Sequence, residues 1–417
     1  MEFNHDPREF VRQFQQLLIS GSKRIGFLTG AGTSMIKEKP NPKSKDDTDK
    51  FIGLVPGIKE MTILIEGAVK EECYSKAIKK IKDEILKEDK IFNIESLLSN
   101  IAIKEQGVGQ GKLCNLDKTE LKKLKKLIEE EIKKIVSVHE EIGFEDWITT
   151  HDNFVKWINV ATRKNCVEIF TTNYDYIFEC AFEKNNYPYF DGFVGSYKPF
   201  FLAAALEDDK LLNGWTKLWK IHGSLGLMYD EKTKKVIRCE KNSDSIIIYP
   251  SVLKYDNSRK QPYASFLDRL GRFICKEDTV LVVCGYSMSD DHINEIILNS
   301  LNKSQNSSAL VLLYDDFDIS ADIAKLAMNE PRISIYGRRN AVIGGNYGNW
   351  MLKNQPSIED DIQISSYFLQ DAPLPTADKG QDDEINNMGG EFLLIDFTKF
   401  VSFLNELNYT SYKSNIK

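Results

Sequence analysis

The chain has 417 residues, of which 42% are hydrophobic and 28% are charged, and its formal net charge is −7. This length exceeds that of a typical single domain, so we expect one large domain that carries an inserted or appended module. The negative charge argues against constitutive binding of nucleic acid, and no run approaches the roughly 20 apolar residues that a membrane span requires.

The amino terminus and the cysteines predict the cellular compartment. Residues 1–7 lack the basic and apolar regions of a signal peptide, so we expect a cytoplasmic protein with reduced thiols. The seven cysteines are scattered, and no two have the Cys-x-x-Cys spacing typical of a structural zinc site. The sequence therefore predicts that no zinc is bound.

The first elements along the chain are a helix and a strand. Asp6 and Pro7 are typical of a helix start, and an apolar run over residues 25–29 predicts a strand. The strand leads into the sequence Gly30-Ala31-Gly32-Thr33-Ser34. Glycines at such a junction bring bare backbone close to a phosphate, although similar turns also close α/β units that bind no ligand. The polar segment 37–50 is predicted to be a mobile loop near the pocket and a candidate for its gate.

The pattern over residues 61–154 is helical, with apolar residues that recur at three and four positions. A strand pattern then resumes, with apolar runs at 167–172, 218–222, 245–249, 279–284 and 310–314. Because helical stretches separate several of these runs, we expect a parallel sheet with helices on its faces. The helical stretch is read as an insertion into this α/β domain.

The sequence loses regularity after Tyr336 and regains a helical apolar repeat at residues 400–407. This tail either folds back on the core or docks onto another subunit. We therefore predict an α/β domain of residues 1–60 and 155–340, a helical module of residues 61–154, and a C-terminal extension of residues 341–417.

Polar motifs follow the ends of three later strands. They are Thr171-Thr172-Asn173-Tyr174-Asp175, Lys220-Ile221-His222-Gly223-Ser224 and Cys284-Gly285-Tyr286-Ser287. Open parallel sheets bind ligands beyond the carboxyl ends of their strands, so these motifs and the glycine-rich turn are expected to converge on one pocket.

In this order the motifs GAGTS, TTNYD, KIHGS and GYSMSD resemble the sirtuin family over residues 23–40, 50–60 and 165–315. The resemblance implies a sirtuin-like, Rossmann-like fold that binds NAD⁺ as a substrate. The residues implied to contact the dinucleotide are Gly30, Ala31, Gly32, Thr33 and Ser34 at the pyrophosphate, and Gly285 and Ser287 at the adenosine half. A dehydrogenase fingerprint would require a glycine in place of Met35, so an oxidoreductase is not expected.

The same resemblance implies three catalytic residues. Asn173 contacts the ribose and a water, Asp175 holds the carboxamide, and His222 acts as a base, a role suited to imidazole near neutral pH. Structural roles stay open for each: a helix cap for Asn173 or Asp175, and a core histidine for His222. The segment after Gly285 is alternatively a plain strand-to-helix turn capped by Asp290 or the next residue. The other four histidines are assigned structural roles.

The chain also departs from the sirtuin deacylases. It lacks their four-cysteine zinc ribbon and the Phe-Arg pair of their phosphate loop. With its helical insertion, it looks most like the sirtuin subunit encoded beside a HerA-type ATPase, among bacterial proteins that hydrolyse NAD⁺ in anti-phage defence. The resemblance implies an NAD⁺ glycohydrolase that forms homo-oligomers with a hexameric ATPase partner. An ADP-ribosyltransferase, a protein deacylase and a non-catalytic NAD-binding scaffold that regulates an ATPase or nuclease are the alternatives.

Overall fold

The computed structural model describes residues 3–42, 50–88, 91–209, 212–239, 261–357, 362–373 and 388–414. These residues form a central sheet of ten strands, which are numbered along the chain and have the spatial order β1 (Phe3–His5), β16 (Asn346–Trp350), β15 (Asn340–Ile343), β14 (Ile333–Tyr336), β13 (Ser308–Leu312), β12 (Thr279–Cys284), β2 (Arg24–Thr29), β5 (Glu168–Thr171), β9 (Thr216–Lys220) and β6 (Tyr189–Phe190). All neighbouring pairs from β14 to β6 are parallel. The structure therefore confirms the predicted α/β fold with a parallel-dominated sheet.

Helices cover both faces of this sheet. In chain order they are α1 (Pro7–Ile19), α2 (Ala31–Ser34), α3 (Ile58–Ala68), α4 (Glu72–Lys87), α5 (Ile94–Gly107), α6 (Lys118–Val136), α7 (Thr149–Val160), α8 (Ile177–Lys184), α9 (Tyr263–Ile274), α10 (Asp291–Lys303), α11 (Asp322–Asn329) and α12 (Phe397–Ser414). Val282 and Val283 of β12 enter different hydrophobic clusters, because successive side chains point to opposite faces. No helix within the described ranges is long and apolar enough to cross a membrane.

Smaller sheets flank the central one. The described residues form an antiparallel pair of β3 (Lys37–Pro40) and β4 (Phe51–Gly53), a second pair of β17 (Phe368–Pro373) and β18 (Met388–Phe392), and a sheet of β10 (Leu227–Asp230), β11 (Lys235–Arg238), β8 (Phe200–Phe201) and β7 (Phe193–Val194). The predicted strand at 245–249 lies outside the described residues.

The first helix forms as its sequence predicts. Pro7 is its first residue, and the side chain of Asp6 accepts a hydrogen bond of 2.9 Å from the backbone N–H of Arg8. This cap satisfies one of the N–H groups that a helix start leaves without an intrahelical partner. Phe10 and Phe14 are buried on the face that packs against the sheet.

Helices α3 to α7 lie between β4 and β5, where the helical insertion is predicted. α6 begins with a capping box, in which the side chains of Asp117 and Glu120 each accept from the backbone N–H of the other residue. The apolar repeat of α6 is buried: Leu121, Leu124, Ile128 and Ile132. The helical pattern is confirmed, although it begins at Ile58, and the limits of a separate module stay a prediction.

The prediction of a mobile loop over residues 37–50 is wrong for its first part. Residues 37–40 form β3, and the carboxylate of Glu38 accepts hydrogen bonds from the hydroxyl (2.7 Å) and backbone N–H (3.1 Å) of Thr150 in α7. Lys39 donates to Glu141, so both charged side chains have partners that the polar composition does not reveal. Residues 43–49 lie outside the described residues.

The carboxyl-terminal part also differs from the expectation. The sheet continues beyond Tyr336 with β15 and β16, which are short and carry polar residues. α12 folds back on the core, where Phe400 and Phe403 are buried and Phe397 packs on Phe154 of α7 with ring centroids 5.6 Å apart. Of the two placements left open for this tail, the structure has the intramolecular one.

His151 of α7 lies in this contact. Its ring is fully buried, 5.0 Å from the ring of Phe178 and 5.4 Å from that of Phe397, centroid to centroid. Neither ring nitrogen has a hydrogen-bond partner among the described residues. Burial disfavours the protonated ring and lowers the pKa of His151 to about 3. The folded protein therefore holds this histidine neutral.

We predict that acid weakens the fold through His151. The unfolded chain takes up a proton near pH 6.5 and the folded chain does not, so the free energy of unfolding falls as pH drops from that value towards 3. Between pH 7.5 and 5.0 the loss from this residue is about 2 kcal/mol. Urea unfolding of the wild type and His151→Leu at both pH values measures it. Equal losses in the two proteins would contradict the prediction.

Candidate functional site

The four motif-bearing strands are adjacent and end side by side. Cys284 pairs in register with Thr29, Thr29 with Thr171, and Thr171 with Lys220. After β2 the chain moves to β5 and β9 on one side, and it later continues from β12 to β13 on the other side. Ligands of open α/β sheets bind where the strand order reverses in this way. The motifs therefore meet at one edge of the sheet, beside the boundary of β2 and β12. That they line one ligand pocket stays a prediction.

The glycines at this boundary pack two loops against each other. The N–H of Gly32 donates to the carbonyl oxygen of Gly285 at 2.8 Å, and the N–H of Gly30 donates to that of Cys284 at 3.3 Å. A Cβ on Gly30 or Gly32 would lie 2.7 Å from a backbone atom of Gly285. Gly285 has a φ of +63°, and a Cβ there would lie 2.5 Å from the backbone nitrogen of Thr33. Glycine is therefore required for loop packing as well as for any close approach of a phosphate.

This packing changes the expected set of phosphate donors. Two of the three backbone N–H groups predicted to face a pyrophosphate, those of Gly30 and Gly32, donate to protein carbonyls instead. The physical reason is that the loops meet more closely than the sequence alone indicates. Ala31, the residue between them, is exposed. In this conformation Ala31 is thus the accessible part of the turn.

Asn173 connects the turn after β5 to the glycine-rich loop. Its buried Nδ2 lies 3.0 Å from the carbonyl oxygen of Gly30, 3.1 Å from Oγ1 of Thr33 and 2.8 Å from Oγ of Ser34. Thr33 Oγ1 in turn donates to the carbonyl oxygen of Gly30 at 2.9 Å. One amide group therefore contacts and positions three residues of the predicted phosphate loop.

Asp175 extends the same network. Its Oδ2 accepts a hydrogen bond of 2.7 Å from the hydroxyl of Ser34, and its Oδ1 accepts one of 3.1 Å from the N–H of Ile177 at the start of α8. Asp175 is not the N-cap of α8, as the sequence left open, because Tyr176 holds that position without a side-chain cap hydrogen bond. Both carboxylate oxygens, and the Ser34 hydroxyl predicted to bind phosphate, are thus bonded within the protein.

His222 lies just after β9 and faces a carboxylate from the segment that follows β12. Its Nε2 is 3.3 Å from Oδ2 of Asp290, and the two side chains are only 12% and 9% exposed. The sequence predicts a helix cap for Asp290 and does not connect this residue with His222. The available signal was its position just after the polar motif that follows β12, at the same edge of the sheet.

A buried ion pair supports the turn that carries Asn173. Lys220 Nζ lies 2.9 Å from Oε1 of Glu179 in α8, and both side chains are buried. The same ammonium group donates to the carbonyl oxygen of Asp175. Burial raises the pKa of the Glu179 carboxyl, and the charge of Lys220 opposes that shift. Lys220 therefore links the end of β9 to the turn after β5 and to α8.

The remaining predicted residue, Ser287, is exposed, and its hydroxyl lies 3.0 Å from that of Ser289. Among the residues that the structure describes, no group of three or more histidine, cysteine or acidic side chains is placed to hold a metal. Residues 240–260 lie outside those ranges, so the absence of zinc stays a prediction.

Comparison with known families matches residues 167–334 to the model of the SIR2-like domain. This part of the chain is therefore similar to the SIR2-like domain. The matched range contains Asn173, Asp175, His222 and Asp290, so three of the four motifs at the sheet edge lie in it. SIR2-like domains are in general NAD-dependent enzymes, and the match is compatible with such an activity here. No curated protein matches the chain.

We predict that Gly285→Ala disrupts the contact between the two loops of the SIR2-like site. A left-handed backbone and overlap with Thr33 are expected to lower the free energy of unfolding by about 1–3 kcal/mol. Gly67→Ala is the control, because a Cβ at this position in α3 meets nothing within 4 Å. It should be neutral or stabilise by about 0.5–1 kcal/mol. Equal effects of the two substitutions in urea unfolding would contradict the prediction.

We also predict that Lys220→Met leaves Glu179 unpaired and destabilises the fold by about 3–5 kcal/mol. Lys220→Met combined with Glu179→Leu removes both members of the pair and should recover part of this loss. Chemical denaturation of the three proteins measures the difference. A double variant no more stable than the single one would show that the charge of Glu179 is not the source of the loss.

Proposed function

We propose that the protein hydrolyses NAD⁺ to nicotinamide and ADP-ribose. The observation that carries the proposal is that Asn173 and the His222–Asp290 pair lie on strand ends of the same sheet edge, at the strand-order reversal of a region similar to the SIR2-like domain. This edge is where a dinucleotide binds in open α/β folds, and it presents an imidazole held beside a carboxylate.

The reaction requires one bond to break and one to form. The bond between C1′ of the ribose and the nicotinamide nitrogen breaks, and its electron pair neutralises the charged ring. The ribose passes through an oxocarbenium-like state, as in glycoside cleavage. The oxygen of a water molecule bonds to C1′, and one proton of that water passes to His222. The bonds and charges of the reaction then balance.

Asn173 is placed to orient the ribose or the water. Its Nδ2 is engaged by the phosphate loop, which leaves its amide oxygen to accept a hydrogen bond from a hydroxyl or a water. The resemblance implies that Asp175 holds the carboxamide, but this scheme gives Asp175 a different role. With Ser34 and Ile177 on its two oxygens, it orders the loop, and contact with the carboxamide would require it to exchange one of these partners.

The resemblance of the four motifs to bacterial defence proteins also suggests a role in the cell, which we include in the proposal. NAD⁺ depletion would stop the growth of a phage-infected bacterium, and a HerA-type hexameric ATPase would control an oligomer of this chain. Control is needed because unrestrained NAD⁺ hydrolysis is toxic. These parts of the proposal rest on the motifs and on the helical insertion.

We predict that His222→Ala lowers nicotinamide release from NAD⁺ by at least about 100-fold, the lower range for loss of a general base, and that Asn173→Ala lowers it by about 100-fold through loss of orientation. His222→Ala should still bind NAD⁺ in calorimetry. His5→Ala is the matched control, because this residue lies in β1 at the opposite edge strand of the sheet. Release should be measured for the chain alone and with an ATPase encoded beside its gene.

Each alternative function has its own outcome in this assay. Nicotinamide release that requires an acylated peptide would indicate a deacylase, and transfer of ADP-ribose to protein would indicate a transferase. NAD⁺ binding without turnover under either condition would overturn the hydrolase and favour a scaffold.

A further inference from the structure

We propose that Asp290 is a positioning residue for His222, so that the turn after β12 takes part in the chemistry as well as in capping α10. This inference rests on the proposed function, in which His222 is the base. It assigns Asp290 to hold the Nε2 side of the imidazole, which leaves Nδ1 to accept the proton.

The carboxylate of Asp290 is fixed from several sides. Its Oδ1 accepts a hydrogen bond of 3.1 Å from the N–H of His292, so Asp290 is the N-cap of α10. Its own N–H donates to the hydroxyl of Tyr286 at 3.2 Å, and its carbonyl oxygen accepts from the N–H of Asn294 at 3.1 Å. With one carboxylate oxygen and the backbone held, the other oxygen is directed at His222.

The pair has a chemical reason beyond capping. When His222 accepts a proton, a positive charge forms in a site that is largely shielded from water. A carboxylate 3.3 Å from Nε2 stabilises that charge without having to reorganise, which is the part an aspartate has in a serine protease triad. A helix cap needs only an oxygen acceptor, whereas stabilising a protonated His222 needs a negative charge. Removing the charge of residue 290 while keeping an oxygen therefore distinguishes the two roles.

Substitutions of Asp290 distinguish these roles. Asp290→Asn keeps the cap, because asparagine caps helices about as well as aspartate, but removes the charge. Asp290→Ala removes both. Asp291→Asn is the matched control, since it removes a carboxylate from the exposed first turn of the same helix.

The first test is steady-state release of nicotinamide by the full chain. We expect Asp290→Asn to lower kcat by at least about tenfold, with an unchanged Tm and a KM for NAD⁺ within about threefold of wild type. Asp291→Asn should behave as the wild type. A kcat for Asp290→Asn equal to the wild type would overturn the proposal, and so would an increase, which would mean that the carboxylate restrains the base.

The second test does not depend on turnover. Nitrogen-15 spectra of ring-labelled histidine are tractable because the chain has five histidines. His222→Gln identifies the signal. In neutral imidazole we expect the Nε2-protonated tautomer in the wild type and a mixture in Asp290→Asn, and identical tautomers would overturn the proposal. If the wild type does not cleave NAD⁺, the proposed function fails while these spectra still test the Asp290 contact.

Discussion

The site depends on one buried amide that holds two strand-end loops together. Asn173, from the turn after β5, reaches the loop after β2 through Gly30, Thr33 and Ser34. Each acceptor lies in the loop predicted to receive the phosphates, so the position of the turn after β5 and that of this loop are set together. Buried networks of this kind specify one arrangement when every member is satisfied, and a missing member leaves polar groups unpaired. The amide is therefore structural, whatever part it has in the proposed reaction.

Two buried contacts with carboxylates, the Lys220–Glu179 ion pair and the His222–Asp290 contact, extend this constraint across the sheet edge. Lys220 and His222 are two positions apart at the end of β9. Each faces a carboxylate that lies at the start of a different helix. Glu179 lies in α8 and Asp290 caps α10, so one strand end is joined to helices that begin at β5 and β12. Pairs of this kind contribute little net stability but strongly disfavour arrangements in which one partner is left alone. They define where the histidine sits.

Much of the fold could be predicted from the sequence because its central strands are buried on both faces. Such strands read as continuous apolar runs, and β12 matches its predicted limits. β15 and β16 were missed because they are short, antiparallel and polar in part, and β3 was missed because the sequence Lys37–Pro40 is charged. The candidate site residues were proposed from motif order, whereas the contact of His222 with Asp290 depends on which strands end at the same part of the sheet edge. Sequence reveals that only when the sheet order is known.

The contact of the two glycine loops has a thermodynamic consequence. The N–H groups of Gly30 and Gly32 are donors for which two acceptors compete, the carbonyls of residues 284 and 285 and the oxygens of an incoming diphosphate. A ligand that takes these donors must first separate the loops, so its apparent affinity equals the intrinsic affinity multiplied by the fraction of molecules in which the loops are open. If a dinucleotide binds here as proposed, any surface contact that separates the two loops would act as an activator without touching the substrate.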